Sequence, residues 1–180
     1  TNTVSFIGHG KDSTVLTYSA SANTAPHTFR INGAKYIIVR NMNIQATGQN
    51  NGWALNILNA TYIKVAGCKI ECAGNAASSA SSNLAAVVLN GGATSITTTG
   101  SCDRNEIDTN IINGGYYGIV SAGAASSNIN YYRNNKISNS YYAGIYIYSS
   151  QCAKVLNNKV SNRSSNTNSL GIYFFASSAS

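Results

Sequence analysis

Tyr131-Tyr132-Arg133-Asn134-Asn135-Lys136-Ile137 returns 23 residues later as Lys154-Val155-Leu156-Asn157-Asn158-Lys159-Val160. The same phrase stands earlier as Ile37-Ile38-Val39-Arg40-Asn41-Met42-Asn43-Ile44, as Ile63-Lys64-Val65-Ala66-Gly67-Cys68-Lys69-Ile70 and as Glu106-Ile107-Asp108-Thr109-Asn110-Ile111-Ile112. The closing aliphatics fall at 44, 70, 112, 137 and 160, at intervals of 26, 42, 25 and 23 residues. A period in the twenties marks a solenoid, in which each repeat buries against its neighbours a face it cannot bury alone.

Counting back from each closing aliphatic separates the repeat into columns. Five residues earlier stand Val39, Val65, Ile107, Tyr132 and Val155, and seven earlier Ile37, Ile63, Asn105, Asn130 and Ala153. Alternate residues of a strand share a face, so both columns are expected to point into a common core. Between strand and closing aliphatic lie Asn41-Met42, Gly67-Cys68, Thr109-Asn110, Asn134-Asn135 and Asn157-Asn158. Asn tolerates the left-handed backbone region and suits a sharp corner, and stacked Asn side chains can bond to one another along the axis. A Gly-led or Ala-led strand then follows: Gly52–Ile57, Ala85–Leu89, Gly118–Val120, Gly144–Tyr148 and Gly171–Phe174. Residues 73–83 and 91–101 are low-complexity, read as loops, and account for the long interval. No stretch shows helical spacing with caps.

Composition agrees with a β-rich chain. Charged residues make up 9% of the 180, while Asn and Ser contribute 25 and 24. Hydrophobic content of 43% argues against disorder. The net charge of +7 reflects five acids against twelve bases, and the bases are scattered rather than in a run, which argues against a nucleic-acid partner. No apolar run approaches the roughly 20 residues a membrane helix needs. Thr1 opens straight into a strand-like pattern, and Ala176-Ser177-Ser178-Ala179-Ser180 reads as a linker. The expectation is one domain over 1–180, a segment of a longer secreted or cell-surface chain with other domains. Of Cys68, Cys72, Cys102 and Cys152, none has zinc-site spacing. Cys72 and Cys102 flank an insertion and are the candidate disulfide, closing a loop of about 30 residues for roughly 3–4 kcal/mol. Four buried thiols are the alternative.

The units Asn134-Asn135-Lys136-Ile137-Ser138-Asn139 through Gly144-Ile145-Tyr146-Ile147, and Asn157-Asn158-Lys159-Val160-Ser161-Asn162 through Gly171-Ile172-Tyr173-Phe174, resemble coils of the pectate-lyase-like superfamily. The opening Val4-Ser5-Phe6-Ile7-Gly8-His9-Gly10-Lys11-Asp12-Ser13-Thr14-Val15-Leu16 is similar to its first coil. The resemblance covers nearly the whole chain and implies an all-β, right-handed parallel β-helix of about six coils. It does not select an activity, because the superfamily includes lyases, hydrolases, esterases, phage tailspikes and non-catalytic surface proteins.

Columns also organise the candidate chemistry. One residue before the closing aliphatic, Lys136 and Lys159 are expected as outward neighbours that would either meet an acidic sugar or simply stay solvated. Four before it, Asp108 and Arg133 are expected to pair. Inverting glycoside hydrolysis needs two separated carboxyl groups, and the paired aspartates of β-helical polygalacturonases are missing, as is the Asp-Phe pattern of pectin methylesterases. Asp103, Glu106 and Asp108 cluster in one repeat, and with Arg104 offer a calcium or substrate corner, although nothing else supports calcium. Arg133 and Lys136 are the one close pair resembling the Lys-base, Arg-acid arrangement of some β-helical lyases. His9 and His27 have no nucleophile motif beside them, and no cofactor or metal is expected. Tyr116-Tyr117, Tyr141-Tyr142, Tyr146, Tyr148 and Tyr173 fall at related places in successive coils. Alternation with Ile145 and Ile147 puts Tyr146 and Tyr148 outward, where an exposed tyrosine column would suit sugar rings or a protein partner. The candidate binding residues are therefore Tyr117, Tyr142, Tyr146, Tyr148, Tyr173, Lys136 and Lys159.

Three functions fit: a non-catalytic adhesin or stalk module contacting polysaccharide or cell-surface glycan, part of a lyase or hydrolase acting on acidic polysaccharide, and a tailspike-like trimer. The sparse acids favour the first.

Overall fold

The structure is a computed structural model that describes residues 2–22, 24–72, 82–123, 129–149, 153–163 and 166–175. Three parallel sheets of six strands form it, each coil giving one strand to each sheet. The first sheet holds Val4–Ile7, Ile37–Arg40, Lys64–Ala66, Glu106–Asp108, Asn130–Arg133 and Ala153–Leu156. The second holds Val15–Tyr18, Asn43–Ala46, Lys69–Cys72, Ile111–Gly114, Lys136–Ser138 and Lys159–Ser161. The third holds His27–Asn32, Asn51–Leu58, Asn83–Asn90, Tyr117–Ala122, Ala143–Tyr148 and Leu170–Phe175. Among the described residues there is no helix. The chain is an all-β parallel solenoid of six coils.

The strand register aligns the sequence columns. Phe6, Val39, Val65, Ile107, Tyr132 and Val155 pair in succession across the first sheet. Leu16, Ile44, Ile70, Ile112, Ile137 and Val160 do so across the second. Ile31, Ile57, Leu89, Ser121, Ile147 and Phe174 face them from the third. Residues of the middle coils in these columns are buried, in one continuous core. Each buried aliphatic contributes about 1.5–3 kcal/mol. Tyr132 is the large buried member of its column, and small Ser121 stands across from it. Their hydroxyls are 2.7 Å apart, so the polar end of a fully buried ring is satisfied inside the core.

The corner between the first and second sheets repeats in two residues. The first is left-handed every time: Asn41 (φ 58°), Gly67 (63°), Thr109 (56°), Asn134 (56°) and Asn157 (52°). The second is Met42, Cys68, Asn110, Asn135 or Asn158, and the last three form a ladder. Asn135 Oδ1 accepts from the backbone N–H and the side-chain amide of Asn110, at 3.0 and 3.1 Å. Asn158 Oδ1 accepts the same pair from Asn135, at 3.0 and 2.9 Å. Each amide also donates to a strand carbonyl: Asn110 to Val65, Asn135 to Ile107 and Asn158 to Tyr132. The tight corner buries backbone groups that the strands cannot pair, and the Asn side chains pair them instead. Asn105 and Asn130 make a second, shorter ladder where the chain enters the first sheet. Asn130 Oδ1 accepts from the Asn105 N–H at 3.0 Å, and Asn105 Oδ1 from the Ile63 N–H at 2.9 Å.

Residues 73–81 lie outside the described residues, and the strand that follows begins at Asn83, inside the stretch read as a loop. The 91–101 loop folds back on the outer face of the third sheet, where Ile96 packs with Trp53, Val88 and Val120. The expected Cys72–Cys102 bridge is not formed. Cys102 is a buried free thiol whose sulfur lies 3.2 Å from the Ile57 carbonyl. Cys72 Sγ is 3.5 Å from the carbonyl of Gly52. Gly52 and Ile57 are five residues apart on one strand, about 16 Å, so the two sulfurs sit at opposite ends of it. The insertion brings its flanks back to different corners of the coil. Burial raises the Cys102 thiol pKa to about 11.

Candidate functional site

The outer face of the first sheet carries the densest charge. Arg133 Nε donates to Asp108 at 2.9 Å, and its Nη2 donates to Glu106 at 3.1 Å. Lys64 reaches Glu106 from the coil before, also at 3.1 Å. Asn134 donates to the second Asp108 oxygen at 3.0 Å. The anticipated Asp108–Arg133 pair is present and extends into a chain of four charges. Burial opposes the charge on Asp108, but hydrogen bonds from Asn134 and Arg133 outweigh it and hold the carboxyl below its ordinary value. Arg133 and Lys136 do not share a site. They lie on different sheets on either side of the left-handed Asn134 corner. Among the described residues, no three His, Cys, Asp or Glu side chains come together to hold a metal ion.

Lys136 and Lys159 are exposed direct neighbours on the outer face of the second sheet. Farther along that face Glu71 accepts from Lys69 (3.0 Å), Gln45 (2.8 Å) and Asn43 (3.2 Å) at one oxygen. Burial disfavours its charge, and these three donors overcome that and lower its pKa.

Tyr117, Tyr146, Tyr148 and Tyr173 belong to the third sheet and Tyr142 immediately precedes its Ala143–Tyr148 strand, away from both lysines. Tyr117, Tyr146 and Tyr173 stack face to face, with ring centroids 5.1 and 5.2 Å apart and planes within 12° and 11°. Tyr148 stacks on Phe175 at 5.4 Å, and Tyr142 on Tyr116 at 5.3 Å. Tyr146 does point outward, as alternation implies, but only 8% of it is exposed. The coil spacing of about 4.8 Å matches the stacking distance of aromatic rings. Both flat faces of Tyr146 are therefore covered by its neighbours, while Tyr117, Tyr142, Tyr148 and Tyr173 are each stacked on one face. Burial, with Tyr173 beside it, raises the Tyr146 pKa to about 12.

One further arrangement escaped the column reading. Eight residues before the closing aliphatics stand Tyr36, Tyr62, Arg104 and Ile129, and six before stand Ile38, Lys64, Glu106 and Tyr131. Tyr36 and Tyr62 stack at 4.8 Å, and the Arg104 guanidinium lies 5.2 Å from the Tyr62 centroid while donating to the Tyr62 hydroxyl. A groove of about 270 Å³ runs between this wall and the first sheet, and a second of about 420 Å³ continues it past Arg104 to Tyr131. The signal was present in the sequence: the same counting, taken to eight and six residues, lists the wall and the floor.

Comparisons with protein-family models, with curated proteins and with solved structures returned no match for this chain. The class of protein is defined by its own geometry: a parallel β-solenoid with asparagine-laddered corners.

Proposed function

We propose that the chain is a rigid, non-catalytic β-helix module of a secreted or cell-surface protein, an adhesin or stalk that contacts polysaccharide. Its coils resemble those of the right-handed, pectate-lyase-like superfamily. The observation that carries the reading is the state of the carboxylates. Glu71 and Asp108 are held below their ordinary pKa by several donors each, whereas a general acid needs a raised one. Glu106 is bound by two cations at once. Carboxylates used this way tie coils together. The partly exposed rim of the tyrosine ladder, at Tyr117, Tyr142, Tyr148 and Tyr173, offers ring edges and hydroxyls to sugars. Lys136 and Lys159 offer a separate positive spot on another face.

The test is an assay on a panel of acidic polysaccharides, with and without calcium, reading unsaturated product and reducing ends together, beside a glycan array. The expected result is no turnover and retained binding. Turnover above a denatured control would establish the alternative, a piece of a lyase or hydrolase. Failure on both would leave a scaffold without glycan contact.

A further inference from the structure

Every exposed large hydrophobic among the described residues lies in the first coil or the last. Part of that is the core running out at its ends. The inward residues Phe6 and Leu16, and Ile172 and Phe174, have a neighbouring coil on one side only. Ile7 and Leu156 have another cause. They sit on the outer face, in the column that carries Arg40, Ala66, Asp108 and Arg133 in the coils between. That column faces water, and three of its four middle members are charged. Only the two end coils place a large aliphatic there, and each is left open, Ile7 at 62% and Leu156 at 46% exposed. Exposed apolar surface of this kind marks a contact with another molecule.

The two ends are complementary. Three strand edges stand open at each, and an open edge is a template for a further strand. Strand lengths match sheet by sheet: four residues (Ala153–Leu156) against four (Val4–Ile7), three (Lys159–Ser161) against four (Val15–Tyr18), six (Leu170–Phe175) against six (His27–Asn32). The register of each sheet can be carried one step further, from the last coil of one copy to the first coil of another. It then sets Leu156 beside Ile7, Val155 beside Phe6 and Phe174 beside Ile31. The same step brings Arg30 to the open face of the Tyr173 ring. Arg30 is exposed and makes no ion pair among the described residues. Lys154 meets Ser5 and Lys159 meets Val15, so no like charges adjoin. The asparagine ladder also continues. Asn158 receives from Asn135, but its own N–H has no acceptor among the described residues. The position two before the closing aliphatic of the first coil is Thr14, whose hydroxyl oxygen can accept it.

We propose that copies of this chain stack head to tail, the last coil of one seated on the first coil of the next, in a rod with one continuous core. Such a contact is heterologous and does not close on itself, so the rod lengthens with concentration. Each copy adds about 29 Å, six coils at roughly 4.8 Å. The stacking is independent of the polysaccharide reading.

Ile7 and Leu156 supply the test, because both are exposed in the single chain and neither packs in the core. Sedimentation velocity and small-angle scattering follow a concentration series at about 0.15 M salt, where the net charge is screened beyond about 8 Å. The samples are the wild-type chain, Ile7→Lys with Leu156→Lys, and Ile7→Glu with Leu156→Lys. Melting temperatures are taken at dilutions where each is monomeric. The expected result is wild-type growth into rods of regular increment. The double-lysine variant should associate roughly tenfold or more weakly at an unchanged melting temperature. The glutamate–lysine variant should regain the association, because only a head-to-tail contact sets residue 7 of one copy against residue 156 of another. A wild-type chain that stays monomeric throughout overturns the proposal and leaves the ends to further coils of a longer polypeptide or to another protein. A closed dimer overturns it, as does undiminished association of the double-lysine variant. Equal association of the two double variants, folded or not, overturns the head-to-tail register.

Discussion

Asn135 shows what a single side chain does in this architecture. Its carbonyl oxygen takes two hydrogen bonds from Asn110, and its amide gives one to Ile107 and one to Asn158. Asn135→Ala would leave a buried N–H and a buried carbonyl without partners, and is expected to lower stability by about 3 kcal/mol in urea unfolding. A change under half that size would mean water replaces the amide. Glu71 and Asp108 set the acid behaviour. Both have lowered folded-state pKa values, so their contribution is present above the ordinary values of 4.5 and 3.8 and is lost as pH falls through the folded ones. Stability should therefore fall from about pH 4.5 downward, and Glu71→Gln should make that decline shallower. An equally steep decline in Glu71→Gln would assign it to other groups. The corner asparagines were legible in the sequence because their backbone preference and their repeat coincide. The left-handed backbone at Tyr36, Tyr62 and Arg104 was not, because nothing in the propensity of Tyr or Arg announces it, although their shared column was countable.

The third sheet divides its tyrosines by exposure. Tyr146 has both faces covered, so Tyr146→Ala should cost about 3 kcal/mol and lower the melting temperature by several degrees. Tyr148 is partly exposed and stacked on one side. Tyr148→Ala should leave the melting temperature closer to wild type and take more effect on glycan binding. Equal thermal losses in the two variants would make the whole ladder structural. Alternation along Gly144–Tyr148 was enough to place Tyr146 on the outer face. Its burial depends on Tyr117 and Tyr173 in the coils either side, at a spacing that one strand's sequence does not contain. The Cys72–Cys102 pairing failed for a related reason. Sequence separation measures how far the chain travels, and the coil carries the two sulfurs to different ends of Asn51–Leu58.

Over the whole molecule, contacts join neighbouring coils and stability is a sum of adjacent interfaces. The middle coils have a partner on each side, and the end coils on one. Core-facing Phe6 and Leu16 are accordingly 43% and 40% exposed in the first coil, and Ile172 and Phe174 54% and 57% in the last. Hydrogen exchange should be slowest at Ile70, Ile107 and Ile112 and fastest in both end coils. Uniform protection would indicate that the ends are covered, by association or otherwise.

Every sheet bonds its strands along the same direction, from one coil to the next. Tension between the two ends of the rod would therefore load those bonds lengthwise, one rim at a time. The rod would yield in steps, each freeing the slack of a coil. That is about 80 Å for the 23- and 25-residue repeats and about 140 Å for the 42-residue one, so the long repeat would stand out in a force trace as one oversized step.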